Sequence, residues 1–215
     1  MIQIKDLCLS FNKEFNILDN VNLTINSGDK IALVGASGSG KTCLLRSILG
    51  LEEFQSGEIF INNLSIKNIN FKTDVSVGYV PKNPVLLENK TVKANLEYVL
   101  KNRKVDQASI NFKVINALKT FDIESIRNFT VKDLSLYHKS VVQLARVCQR
   151  KIEIFIIDDI TEKLSSNEQE NILDYFKMMM ENYPNATFVF SFSNREFAER
   201  LGLKIYNMAN GKISN

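Results

Sequence analysis

The stretch Gly35-Ala36-Ser37-Gly38-Ser39-Gly40-Lys41-Thr42 constrains this chain more than any other, because it matches G-x-x-x-x-G-K-[ST]. Glycines in such a loop let backbone N–H groups turn inward and surround phosphate oxygens. Lys41 can set a point charge on the outer phosphates, and the Thr42 hydroxyl can ligate Mg²⁺. The pattern carries this meaning only between a strand and a helix, and both flanks comply. Lys30 to Val34 is a short, largely apolar run of β character, entered from a Ser27-Gly28-Asp29 turn. Leu44, Leu45, Ile48 and Leu49 follow at helical spacing, with Gly50 as a C-cap. The helix start adds its dipole and free N–H donors to the loop.

At 215 residues the chain is long enough for one large α/β domain or a core with an inserted subdomain. Its net charge of +3, from 27 basic and 24 acidic residues, is too balanced to argue for nucleic acid or an anionic membrane surface. No apolar run approaches the ~18 residues of a membrane span. The first residues show neither the basic region nor the apolar stretch of a signal peptide. Cys8, Cys43 and Cys148 are odd in number and widely spaced, which suggests a reducing cytosol and no disulfide or zinc framework.

The N-terminal part reads as β structure, with alternating Ile2, Ile4, Leu7 and Leu9, then Val21, Leu23 and Ile25. Glu58 to Ile61 and Val75 to Val80 are further strands, the second stopped by Pro81 and Pro84. From about 85 to 133 strand patterns are absent. Thr91 to Leu100 predicts one helix, and Phe112, Ile115, Leu118 and Lys119 sit in a second. The last third returns to α/β order. Val141, Leu144, Ala145 and Cys148 mark an amphipathic helix. Ile154 to Ile157 is a buried strand, and Ser165 to Glu168 is a capping box opening a helix to about Met180. Thr187 to Phe192 predicts a strand, 195–201 a short helix, and Lys204 to Ile213 a hairpin around Asn210-Gly211.

Asp158 follows the apolar run Ile154 to Ile157, where open α/β sheets place ligands, and is the candidate Mg²⁺ ligand. The competing reading is a strand-end carboxylate that caps the next turn. Asp159 is the candidate for orienting an attacking water, with a purely structural role equally open. Cys43 stands at the helix start, where the dipole can lower a thiol pKa, so it is a candidate for alkylation that nucleotide would block. An inert packing residue is the alternative. The long gap between Lys41 and Asp158, with no [NT]KxD guanine-reading motif, argues against a small GTPase or nucleoside kinase.

With these elements placed, the chain resembles the ATP-binding cassette of ABC transporters over essentially its whole length. The phosphate loop, the Ile154–Asp159 run, the intervening helical region, Gly57-Glu58-Ile59 and the closing Asn210-Gly211-Lys212-Ile213 occur in that family's order. The resemblance implies an α/β P-loop NTPase core with an N-terminal antiparallel β subdomain and an inserted helical subdomain. The core would comprise residues 1–81 and 135–215, and the helical insertion 82–134. It further implies ATP and Mg²⁺ as cofactors and a second cassette as dimer partner, identical or not. Membrane-spanning transporter subunits would be the docking partners, on the cytoplasmic face of a membrane. Phe11 falls where the family stacks an aromatic on adenine, with core packing as the alternative.

Several positions depart from the family. Its Leu-Ser-Gly-Gly-Gln signature aligns with Leu134-Ser135-Leu136-Tyr137-His138, where side chains obstruct the close backbone approach that two glycines allow. Ser135 could still donate to a phosphate, and His138 reads as a surface-loop histidine. The family's glutamine between metal site and membrane subunit aligns with Lys82, which when charged can neither accept a hydrogen bond nor ligate Mg²⁺. Its catalytic glutamate aligns with Asp159, of shorter reach. Its switch histidine aligns with Ser193, and the chain has a single histidine in total. Groups that hold nucleotide are kept, and groups that fire hydrolysis or complete a partner's site are altered. The expectation is an ATP-binding transporter subunit with weak or absent intrinsic hydrolysis. A non-transport regulatory or scaffolding protein using ATP as a structural ligand is the alternative.

Overall fold

The computed structural model describes residues 1–11, 16–71, 73–102 and 105–214. Two sheets carry the fold. Strands β1 (Ile2–Leu9) and β2 (Leu18–Ile25) pair antiparallel because each alternates buried apolar and outward polar residues, with Ile2 opposite Ile25 and Ile4 opposite Leu23. Strand β3 (Lys30–Val34) leaves this sheet, and helix α1 (Lys41–Ile48) follows the phosphate loop. Strands β4 (Ser56–Ile61) and β5 (Leu64–Ser65) complete the antiparallel sheet in the order β2-β1-β4-β5.

The second sheet runs β10-β9-β3-β8-β7-β6. Its strands are β6 (Val77–Val80), β7 (Ile154–Ile157), β8 (Thr187–Phe192), β9 (Lys204–Ala209) and β10 (Lys212–Ser214). Five are parallel, and β10 closes the edge antiparallel to β9. β7 and β8 are buried at every position, as strands covered on both faces must be. Ile154 and Ile156 pack with α1 and the antiparallel sheet, whereas Phe155 and Ile157 pack with the helices opposite.

Between β6 and β7 lie α2 (Val92–Lys101), α3 (Gln107–Thr120) and α4 (Leu136–Val147), with α5 (Ser166–Asn182) and α6 (Arg195–Arg200) further on. Thr91, Asp106 and Ser135 cap α2, α3 and α4 by accepting from backbone N–H groups of the first turn. Both halves of the capping box on α5 are formed. The fold is thus α/β, with a mostly parallel P-loop core sheet, an antiparallel β sheet beside it, and helices.

Three local readings change. The strand expected from Val75 begins at Val77. Leu49, not Gly50, is the C-cap of α1, and Gly50 with φ 65° occupies the next, left-handed position. On α3 the buried face is Ile110, Val114, Ala117 and Leu118, while Phe112 and Ile115 are exposed. The apolar residues on α3 outnumber its one stripe, so periodicity alone does not say which face packs against α2 and α4.

Candidate functional site

The phosphate loop connects the end of β3 to α1, and two of its glycines are required by geometry. A Cβ on Gly35 would meet the Met208 carbonyl oxygen at 2.1 Å. Gly40, the residue before α1, has φ 101°, and a Cβ there would lie 2.7 Å from the Ile17 carbonyl oxygen. Lys41 is buried and bends back over the loop. Its ammonium donates to the carbonyls of Gly35 (2.6 Å) and Ala36 (2.9 Å) and to Ser39 Oγ (3.4 Å). Burial pulls the Lys41 pKa down, and the carboxylates of Asp159 and Asp158 act against that.

Asp158 ends β7 and reaches α1. The Thr42 hydroxyl donates to Asp158 Oδ2 at 2.8 Å. The other oxygen, Oδ1, accepts from Ser191 Oγ (2.6 Å) and from the Asp159 backbone N–H (3.0 Å). One carboxylate oxygen is therefore fixed by the sheet, and the other faces the loop beside a hydroxyl. Asp159 is buried, and each of its oxygens accepts one hydrogen bond. Thr161 Oγ1 donates to Oδ1 at 2.8 Å, and the Ser193 backbone N–H donates to Oδ2 at 2.6 Å. The capping alternative for Asp158 is met in part, since its Oδ1 accepts the next residue's N–H, but its Oδ2 accepts from Thr42.

Lys82 forms an ion pair with Glu162, joining the turn after β6 to the loop after β7. Lys82 holds the Glu162 carboxyl below its usual range, mainly by this hydrogen bond. Gln143 of α4 fixes the same turn: its Oε1 accepts from Val85 N–H (2.6 Å) and its Nε2 donates to the Pro81 carbonyl (3.1 Å).

A cleft of about 270 Å³ is lined by the loop residues Ser37, Gly38, Gly40, Lys41, Thr42 and Cys43, and by Lys82, Asp158, Asp159, Ser193 and Ile17. The fold thus brings together positions from β3–α1, β6, β7 and β8 that lie far apart in sequence. It does not bring the 135–138 segment to this cleft. Ser135 instead caps α4, accepting from the His138 N–H at 3.3 Å, and its Oγ lies 2.9 Å from His138 Nδ1. Leu136 is exposed, and the Tyr137 and His138 rings meet edge to face. Phe11 is 68% exposed, so core packing is excluded for it.

The acidified thiol expected for Cys43 is corrected by the structure. Burial, then the Glu52 carboxylate, pushes this thiol up rather than down, against Arg46 and whatever the helix dipole supplies. Ser191, Thr161 and Glu162 were missed by sequence reasoning. Ser191 had a signal: it is a hydroxyl inside the apolar run Phe190-Ser191-Phe192, where a buried polar group needs a partner. Thr161 and Glu162 carried none, since their partners come from other elements.

A parallel sheet with a phosphate loop after one strand and a carboxylate after another defines a P-loop nucleotide-binding domain. The family model for ABC transporters matches residues 18–162, and the chain belongs to that family. Among curated relatives, the sn-glycerol-3-phosphate import ATP-binding protein UgpC of Bartonella bacilliformis is 34% identical over 165 residues, 77% of this chain and 48% of that protein. The spermidine/putrescine import ATP-binding protein PotA of Legionella pneumophila is 29% identical over 214 residues, 99% of this chain and 58% of that protein. The chain spans about half the length of the curated relatives it matches. Among solved structures, the ATP-binding cassette MJ0796, a dimer bound to ADP and Pi, superposes with a TM-score of 0.87 at 24% identity, covering 100% of this chain and 97% of that one. The likeness to cbiO1 from Clostridium perfringens, part of the transporter complex cbiONQ, has a TM-score of 0.85 at 22% identity, covering 100% and 86%. These two likenesses establish the fold.

Proposed function

We propose that this chain is an ATP-binding subunit of an ABC-type transporter, and that by itself it binds ATP with Mg²⁺ but hydrolyses it weakly or not at all. The observation that carries the first part is the Thr42–Asp158 pair at the phosphate loop, a hydroxyl and a carboxylate oxygen brought to 2.8 Å of each other from positions far apart in the sequence. Mg²⁺ keeps most of its waters and takes few protein ligands, so this pair suits it. When bound, the ion would supply positive charge to the outer phosphates. Lys41 would exchange its carbonyl partners in the loop for phosphate oxygens, which are stronger acceptors for an ammonium. The loop N–H groups and the start of α1 would hold the remaining phosphate charge.

Weak hydrolysis is supported by Asp159. A general base must reach the attacking water, and an aspartate side chain is one methylene shorter than the family's glutamate. Hydrogen bonds from Thr161 and the Ser193 N–H hold the short Asp159 side chain between the loops after β7 and β8, and no imidazole stands at position 193 to help. The residues at 134–138 that would face a partner's nucleotide are bulky. In this reading ATP closes the chain against a second cassette, and closure moves membrane-spanning subunits docked near Lys82 and residues 84–100. The helical insertion is assigned to 82–134 and the core to 1–81 and 135–215.

The test is ATP binding and turnover by the pure protein. We expect Mg²⁺-dependent ATP binding that Lys41→Ala weakens by about ten- to a hundred-fold, as loss of charged hydrogen bonds predicts. Turnover should stay near background. Robust turnover abolished by Lys41→Ala would overturn the weak-hydrolysis reading. Co-purification with a membrane protein separates a transporter subunit from a scaffold.

A further inference from the structure

Lys82 stands between two places for an anion. It lines the cleft at the phosphate loop, together with Lys41, Thr42 and Asp158. Its ammonium is nevertheless paired with Glu162, which is not among the residues lining that cleft. Both side chains of the pair keep contact with water, each 28% exposed. The turn that carries Lys82 does not depend on this pair. Gln143 of α4 holds the Pro81 carbonyl and the Val85 N–H, and Arg146 donates to the Val85 carbonyl at 2.7 Å. The backbone on either side of Lys82 is thus anchored, while its ammonium rides on a flexible four-carbon stem.

The electrostatics favour a change of partner. The Lys82 hydrogen bond, and then the charges of Lys82, Lys163 and Lys41, hold the Glu162 carboxyl below its usual range, so Glu162 also lies in the field of the phosphate-loop lysine. An exposed lysine–carboxylate pair is weak, because water screens it. A phosphate group inside a cleft carries more negative charge and is less screened, so it is the stronger acceptor for the same ammonium. The position of Lys82 decides which phosphate that is. The loop and α1 supply one side of the cleft, and residues after β6, β7 and β8 supply the other. A nucleotide whose inner phosphates rest on the loop N–H groups turns its outermost phosphate toward the side where Lys82 stands.

We propose, on the reading that this chain binds ATP, that Glu162 is a built-in competitor of the nucleotide for Lys82. In the empty cleft Glu162 engages the ammonium, and the outermost phosphate of a nucleoside triphosphate takes it over. Lys82 is then a triphosphate-binding residue, and Glu162 acts through it. A diphosphate lacks the group that reaches Lys82 and leaves the ion pair in place. The link between the turn after β6 and the loop after β7 is therefore closed with diphosphate and open with triphosphate.

The test is a double-mutant cycle on the full chain, read by calorimetric titration with ATP and with ADP, each with Mg²⁺. Lys82→Gln should weaken ATP binding about ten-fold and leave ADP within about two-fold, the usual weight of one charged hydrogen bond. Glu162→Gln releases Lys82 and should tighten ATP binding about three-fold, as loss of an exposed pair allows. In Lys82→Gln/Glu162→Gln that gain should disappear. An ion pair that only braces two loops predicts otherwise: both single variants weaken binding, or neither changes it. Absence of ATP binding by the parent protein would overturn the ATP reading and this proposal with it. Where the parent binds ATP, three results overturn this proposal alone. The first is an ATP affinity unchanged or lowered in Glu162→Gln. The second is a gain that persists in the double variant, which marks a general effect of charge. The third is an equal loss of ATP and ADP affinity in Lys82→Gln.

Discussion

Each Asp159 carboxylate oxygen accepts a hydrogen bond from a different loop, and that is local chemistry with a measurable consequence. In Asp159→Ala both Thr161 Oγ1 and the Ser193 N–H lose this partner. The expected cost is about 1–3 kcal/mol, read as a lower midpoint in thermal or urea unfolding. ATP turnover of the pure chain should not change, because the carboxylate serves as a clamp between the loops after β7 and β8. At this scale Gly35 to Thr42 and Asp158 could be named from motif and strand-end position, and Lys82 and Ser193 only by alignment with the family, as Asp159 was for its catalytic position. Thr161 and Glu162 could not, because a hydrogen bond from Thr161 to Asp159 or from Lys82 to Glu162 depends on how a loop folds back. The raised Cys43 pKa likewise follows from burial, which the helix-start position does not report.

Helix α5 begins with a reciprocal pair: Glu168 accepts from the Ser165 N–H at 2.9 Å while the Ser165 side chain serves the first turn. Ser165→Ala removes the cap and should destabilise by about 1 kcal/mol, which for a domain of this size is about 2–4 °C in Tm by scanning calorimetry. Helix α4 acts on the site through Gln143, which is buried and holds both Pro81 and Val85. Gln143→Ala would leave two backbone groups unpaired and cost about 1–3 kcal/mol. It should also speed amide hydrogen exchange in residues 82–86, the turn that carries Lys82. Elements with strong caps or clear alternation were legible in sequence, as α5 illustrates and β1 does on either side of its irregularity at Lys5-Asp6. The buried face of α3 was not, because its stripe is chosen by neighbours in the tertiary structure rather than by its own composition.

Across the whole molecule, several carboxylates are held below their usual pKa by specific donors: Lys82 on Glu162, Ser165 on Glu168, Arg200 on Glu170, and Ser109 on Asp106. A carboxylate with a lower pKa folded than unfolded adds stability above the unfolded value. That stability is lost as pH falls through the folded value. We therefore expect Tm to change little between about pH 7 and 5 and to fall progressively below about pH 4.3, where unfolded Asp and Glu take up protons first. A Tm that rose on acidification would contradict this arrangement. The two faces of the core sheet pack against different layers, so strands such as β7 couple both: Ile154 and Ile156 to one side, Phe155 and Ile157 to the other.

The sequence by itself determined the phosphate loop, the order of strands and helices around it, and the hairpin at Asn210-Gly211, because each depends on backbone preferences or periodicity within a few residues. Only the tertiary structure decided that Asp158 meets Thr42, that Asp159 joins Thr161 to the Ser193 N–H, and that Gln143 holds the turn carrying Lys82. Those outcomes depend on strand order and helix packing, which bring together residues that no local rule relates.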